Sequence, residues 1–237
     1  MDSCRDGTVG TKAAGRRLGR WVESPTLVAT VLVTATLAIV AYRPLFMGNL
    51  GVVDPELVYR AAQPKGNLRR LLADYGVRTV LNLRGGSTKD SWYADEVRTT
   101  GELGVDFYDL PMSATKRPTR RELLMLLDVF ERCRYPLLIH CKSGADRTGL
   151  ASGLYLMAAR GASVDEAMGE FSIEHGHVPI GGPQRLHEPF REYETWLKDR
   201  NLPHNRDRLR AWVEAEYRAD DRPSRYEPPR VGPRVRR

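Results

Sequence analysis

With 237 residues, a formal net charge of +7 and only three cysteines, the chain has room for one catalytic domain with appendages but not for a disulfide scaffold. No Cys or His spacing suggests a metal site, and no cofactor is expected. The charge is +3 over residues 1–43, −1 over 44–197 and +5 over 198–237; a nearly neutral body is a poor nucleic-acid surface, so nucleic acid is not an expected partner.

Residues 1–25 form a basic segment carrying Lys12, Arg16, Arg17 and Arg20. Residues 26–43 are expected to be a single transmembrane anchor, because Thr26 to Tyr42 holds no charge and as a helix spans roughly 26 Å of a ~30 Å hydrocarbon core. The excess of positive charge before this stretch predicts a cytoplasmic amino terminus and a catalytic domain on the extracytoplasmic side. Residues 44–200 alternate apolar runs with helical patterns. Strands are predicted at Leu57–Arg60, Thr79–Leu83, Asp106–Leu110 and Leu137–His140, and helices at Asn67–Tyr75, Ser91–Leu103 and Arg120–Arg132. Thr119 with Glu122 and Ser163 with Glu166 have capping-box spacing. This alternation predicts an α/β fold with a mostly parallel central sheet flanked by helices. Further helices are expected at Thr148–Ala159, Val164–Glu174 and Leu186–Arg200, then a C-terminal helix within 201–221 packed by Leu209, Trp212 and Val213. Residues 222–237, rich in Pro and Arg, read as a disordered basic tail suited to anionic lipid headgroups.

The informative stretch is HCKSGADRTG, from His140 to Gly149. It sits between a buried strand and a helix, so its backbone N–H groups and the helix dipole can hold a phosphate dianion, with Lys142, Ser143, Gly144 and Ala145 forming the cradle. Gly144 supplies the tight curl. Helix N-termini and nearby cations favour thiolate over thiol, so Cys141 is the expected nucleophile. Arg147 offers a planar fork for two phosphoryl oxygens, and Thr148 a hydroxyl to steady the sulfur.

HCKSGADRTG resembles the signature loop of the cysteine-dependent protein tyrosine and dual-specificity phosphatases. The resemblance runs from about Asp54 to Leu197 and includes VYRAAQP at Val58 to Pro64. It implies a tyrosine-phosphatase-like fold over 44–200, a phosphocysteine intermediate, Cys141 as nucleophile and Arg147 as phosphate clamp. For the general acid, spacing selects Asp109 in YDLPMSATKRPT, yet aligning Pro111 with the family's acid-loop proline places the acid near Ala114. Asp146, directly before Arg147, is the favoured alternative, since myotubularin-like lipid phosphatases are similar in having Asp there. Phosphorylated protein leads as substrate. A phosphorylated lipid, phosphoinositide or glycolipid, is the rival because of Lys142 and the basic loop Lys116-Arg117. An inactive phosphate-binding module is the remaining alternative. Trp92, Tyr93 and Tyr108 are candidates to flank a phosphotyrosine ring, and His175, His177 and Gln184 to position substrate or water. Cys133 reads as a buried apolar side chain.

Overall fold

A computed structural model describes residues 25–46, 48–219 and 230–231. The chain divides into two compact units, Met1–Ile39 and Val40–Arg237. Helix α1 (Pro25–Phe46) covers the stretch expected to cross a membrane. That expectation is corrected: among the described residues no helix is long and apolar enough to do so. Threonines break up its apolar surface, with the Thr30 and Thr34 hydroxyls donating back to the Thr26 and Thr30 carbonyls. The basic flank with Lys12 to Arg20 lies outside the described residues. So does the expected disordered tail, apart from Arg230–Val231.

The second unit contains β1 (Gly51–Asp54), β2 (Val58–Ala61), α2 (Leu68–Asp74), β3 (Thr79–Asn82), α3 (Ser91–Leu103), β4 (Asp106–Asp109), α4 (Arg120–Arg132), β5 (Leu137–His140) and α5 (Asp146–Tyr155). A π-helical turn, Leu156–Arg160, prolongs α5. Then come α6 (Val164–Met168), 3₁₀ turns at Ile173–His175 and Pro183–His187, α7 (Glu188–Asp199), α8 (Arg206–Ala215) and β6 (Arg230–Val231). The sheet order is β1-β2-β5-β3-β4-β6. The inner strands pair in parallel, and β1 and β6 close the edges antiparallel.

Burial on both faces explains the largely apolar runs of β2, β3 and β5, which are buried at every position, whereas β4 buries only Phe107. Their two-residue alternation feeds two cores. Val58, Leu81, Leu137 and Ile139 pack with Leu123, Leu126 and Phe130 of α4 and Leu150 and Leu154 of α5. Tyr59, Val80, Phe107 and Leu138 pack on the opposite face with Leu68, Leu71 and Leu72 of α2. Both capping boxes form: the Thr119 side chain accepts from Glu122 N–H and the Ser163 side chain from Glu166 N–H, each cap contributing about 1 kcal/mol.

Register sets the location of the chemistry. Ala61 and Asn82 both pair with His140, and Asn82 with Asp109, so these four residues form one row at the carboxyl ends of the parallel strands. Ligands of open α/β sheets bind outside that edge. Cys141 follows His140 there, on the strand at the centre of the row.

Candidate active site

The loop from Cys141 to Ala145 is shaped by where its carbonyls go. The Lys142 carbonyl accepts from Gln63 N–H (3.3 Å) and the Ser143 carbonyl from Asn49 Nδ2 (2.8 Å). The Gly144 carbonyl accepts from Arg60 Nη2 (2.9 Å), which reaches the Ala145 carbonyl at 3.4 Å. A trans peptide sends its N–H opposite to its C=O, so tying these oxygens to the scaffold turns the following amides to the other side. There Gly144 N–H donates to Cys141 Sγ at 3.2 Å. The N–H groups of Lys142, Ser143 and Ala145 have no acceptor among the described residues. The result is a cup of unspent donors around a sulfur that is 1% exposed, opening at the N-terminus of α5.

Arg60, fully buried on β2, supplies a cation beneath this cup. It is held by the Glu170 carboxylate at 2.5 Å and the Glu170 carbonyl at 2.8 Å. His140, fully buried behind Cys141, lies 2.8 Å from Glu96 Oε1, too bent for a hydrogen bond, while Glu96 Oε2 accepts from Gln63 Nε2 at 3.0 Å. Gly144 has φ +73°, and a Cβ there would come within 2.6 Å of Ala61 C and O and of Ala62 N. Gly144→Ala is therefore expected to displace the loop, lowering turnover about 10²-fold and stability by about 1–3 kcal/mol, as read by steady-state kinetics and a thermal melt.

The structure brings Arg147 to the first turn of α5. Its Nη1 donates to the Leu83 carbonyl (3.2 Å) and the Met112 carbonyl (3.3 Å), while Nε is buried without a partner among the described residues. Asp146 opens the same turn, its Oδ1 2.7 Å from His177 Nδ1. Asp109 ends β4. Tyr93 O–H donates to its Oδ2 (2.8 Å), and Oδ1 is buried without a partner among the described residues. Burial raises the Asp109 carboxyl above its ordinary range and the nearby Glu96 carboxylate adds to this, against the Tyr93 hydrogen bond and the charge of His140. Lys142 and Ser143 are exposed, and Lys142 has no acidic partner among the described residues.

Several expected contributions are redirected. The Thr148 hydroxyl is buried and has no partner among the described residues, the sulfur included. Arg117 is turned away to Glu192 (2.7 Å) and to the Tyr217 hydroxyl (3.1 Å). Trp92 lies under the Arg84 guanidinium, 3.7 Å from its ring centroid, and Tyr93 serves Asp109. Cys133 is buried as expected, its thiol pushed up to about 11 by burial, and both Cys133 and Cys141 are free.

Sequence reasoning assigned no role to Arg60, Asn49 or His187. Arg60 lies in VYRAAQP, a motif noted for resemblance alone. Asn49 clasps Ser143 and His175 together, donating to both carbonyls at 2.8 Å. His177 is not an exposed loop residue but 1% exposed, with its Nε2 2.8 Å from His187 Nε2. A single segment thus braces the loop: Glu170 through Arg60, His175 through Asn49 and His177 through Asp146.

A family model described as DSP-PTPase phosphatase fused to NAD+ kinase matches residues 49–180. The dual specificity protein phosphatase TpbA of Pseudomonas aeruginosa is 32% identical over 130 residues, 54% of this chain and 54% of that protein. The human dual specificity protein phosphatase CDC14C is 26% identical over 118 residues, 50% of this chain and 26% of that protein. The chain thus spans about half the length, or less, of the curated relatives it matches. Among solved structures, P. aeruginosa TpbA aligns with TM-score 0.50 and 23% identity over 70% of this chain and 96% of that one. The catalytic core of the PP-IP phosphatase SIW14 from S. cerevisiae aligns with TM-score 0.50 and 21% identity over 66% and 96%. At these identities the structural likeness establishes the fold.

Proposed function

We propose, for a chain that belongs to the cysteine-dependent DSP-PTPase family, that it hydrolyses phosphomonoesters through a phosphocysteine intermediate. The observation that carries this reading is the cup: carbonyls tied outward to Gln63, Asn49 and Arg60, amides turned inward, and Cys141 Sγ at its base. Such preorganised donors bind a phosphoryl group and favour the charge that spreads over its oxygens in transfer. Arg147 adds the donors that its Nη1 contacts leave free, Nε among them. In the first step Cys141 Sγ bonds to phosphorus, the bond to the ester oxygen breaks, and an acid gives that oxygen a proton. In the second, water attacks phosphorus, the S–P bond breaks, inorganic phosphate leaves and the thiolate returns.

Asp146 is the proposed acid. Its side chain keeps 21% exposure beside Arg147, whereas Asp109 has one oxygen bonded to Tyr93 and the other buried. Asp109 has the raised proton affinity an acid needs, but Tyr93 occupies its Oδ2 and its Oδ1 is buried. Comparing Asp146→Asn with Asp109→Asn on a nitrophenyl and an alkyl phosphate tests this, because protonation matters most for the poor leaving group. Asp146→Asn is expected to lower alkyl-ester turnover by at least about 10²-fold and to affect the nitrophenyl ester much less. A selective loss in Asp109→Asn instead would reverse the assignment.

Phosphorylated protein is the proposed substrate, in line with the dual specificity protein phosphatases most of the chain's core resembles. Lys142, exposed beside the nucleophile with no acidic partner among the described residues, supports phosphorylated lipid as a second reading. Phosphate release from phosphopeptides and from inositol lipids, measured side by side on the full chain, separates the two.

A further inference from the structure

Behind Asp146 lies a buried chain of ring nitrogens that the two-step chemistry above does not use. Asp146 Oδ1 is 2.7 Å from His177 Nδ1, and His177 Nε2 is 2.8 Å from His187 Nε2. His177 is 1% and His187 5% exposed. Phe171 packs against both imidazoles, with ring centroids 5.0 and 4.3 Å away. At the far end of this series of ring nitrogens, His187 Nδ1 is buried without a partner among the described residues.

Proton counting constrains the chain. Each pair needs one donor and one acceptor. If His177 Nδ1–H donates to Asp146 Oδ1, the neutral His177 accepts at Nε2, His187 donates from Nε2, and His187 Nδ1 is a bare lone pair. If Asp146 instead held its proton on Oδ1, the order would reverse and His187 Nδ1–H would be a buried donor with no acceptor, the costlier state. His187 resists a second proton as well: burial, then the facing His177 and Arg191, lowers it to about 4, against a smaller opposite effect of Asp146.

We propose that His177, fixed in one tautomer by His187, is a positioning residue that keeps Asp146 Oδ1 as an acceptor and so reserves the acid's proton for Oδ2. Oδ2 has no partner among the described residues and is the oxygen left to meet a leaving group. This rests on the reading of Asp146 as general acid.

The depressed affinity of His187 has its own sign. An unfolded histidine protonates near 6.5, so as pH falls from about 6.5 the unfolded state takes up a proton the folded state refuses. Fold stability is expected to rise with pH between about 4 and 6.5, and His187→Asn to flatten that slope in pH-dependent melts.

The deciding experiment measures the full chain and its His177→Ala, His177→Asn and Asp146→Asn variants on an alkyl and a nitrophenyl phosphate. His177→Ala is expected to lower alkyl-ester turnover about 10²-fold with little change on the nitrophenyl ester. His177→Asn, whose amide N–H can replace Nδ1–H, should recover much of the loss. Should His177→Ala not fold, His177→Gln, whose longer amide is displaced from the Nδ1 position, carries the same contrast. Equal losses on both esters, or none, would overturn the proposal while a selective Asp146→Asn keeps the acid assignment. An unselective Asp146→Asn would remove the acid assignment and this proposal with it.

Discussion

Replacing Cys141 with serine is expected to lower turnover of an aryl phosphate by about 10⁴-fold or more, on the scale seen when a hydrolase loses its nucleophile. The sulfur's one hydrogen bond among the described residues comes from Gly144 N–H at 3.2 Å, which a serine oxygen can also accept. The cup is held from outside by Arg60, Asn49 and Gln63, so its shape does not depend on the sulfur. Loss of activity should therefore come without loss of fold, and kcat paired with a melting curve checks both. A serine hydroxyl takes the position but is a weaker nucleophile than sulfur, so binding survives where attack does not. Equal rates in wild type and variant would leave only a phosphate-binding module.

Arg147→Lys is expected to cost about 10²- to 10³-fold in kcat, the scale of losing a preorganised transition-state donor. The guanidinium is steered by two carbonyls, Leu83 and Met112, through a single nitrogen, Nη1. That leaves the rest of the fork for phosphoryl oxygens. A lysine ammonium is a compact charge on a flexible stem; it cannot satisfy both carbonyls and a bidentate phosphoryl contact at once. The loss should fall on kcat and kcat/KM together, because the missing contact strengthens as charge spreads in transfer. A change under about tenfold would show that simple positive charge suffices and that the planar fork has no special role.

The inner sheet was legible because β2, β3 and β5 are buried at every position and read as short apolar runs; all four inner strands, the half-buried β4 included, were placed to within a residue or two. Strand β1 escaped because it is an edge strand with Val52 58% exposed, so no apolar run marks it. Helix α6 was expected to reach Glu174 but stops at Met168, and Glu170 beyond it serves Arg60 rather than another helical turn. The expected membrane span rested on an uncharged run alone, and the described residues contain no helix that qualifies. In the site, Cys141, Gly144, Asp146 and Arg147 were readable because one strand-loop-helix junction carries them all. Arg60, Asn49, His177 and His187 were not readable as a support. Arg60 meets the loop from 84 residues away and Asn49 meets His175 from 126, so no local spacing announces them. His177 lies in a Gly- and Pro-rich segment that reads as exposed, and only the tertiary fold buries it.

The most direct test is to quench the full chain, and its Asp146→Asn variant, during turnover of a nitrophenyl phosphate and to map phosphoryl adducts by mass spectrometry. One phosphoryl group on the peptide bearing Cys141, absent from Cys141→Ser and lost on chasing with substrate-free buffer before the quench, is the predicted result. Continued phosphate release with no adduct on that sulfur, or an adduct on His177 instead, would contradict it.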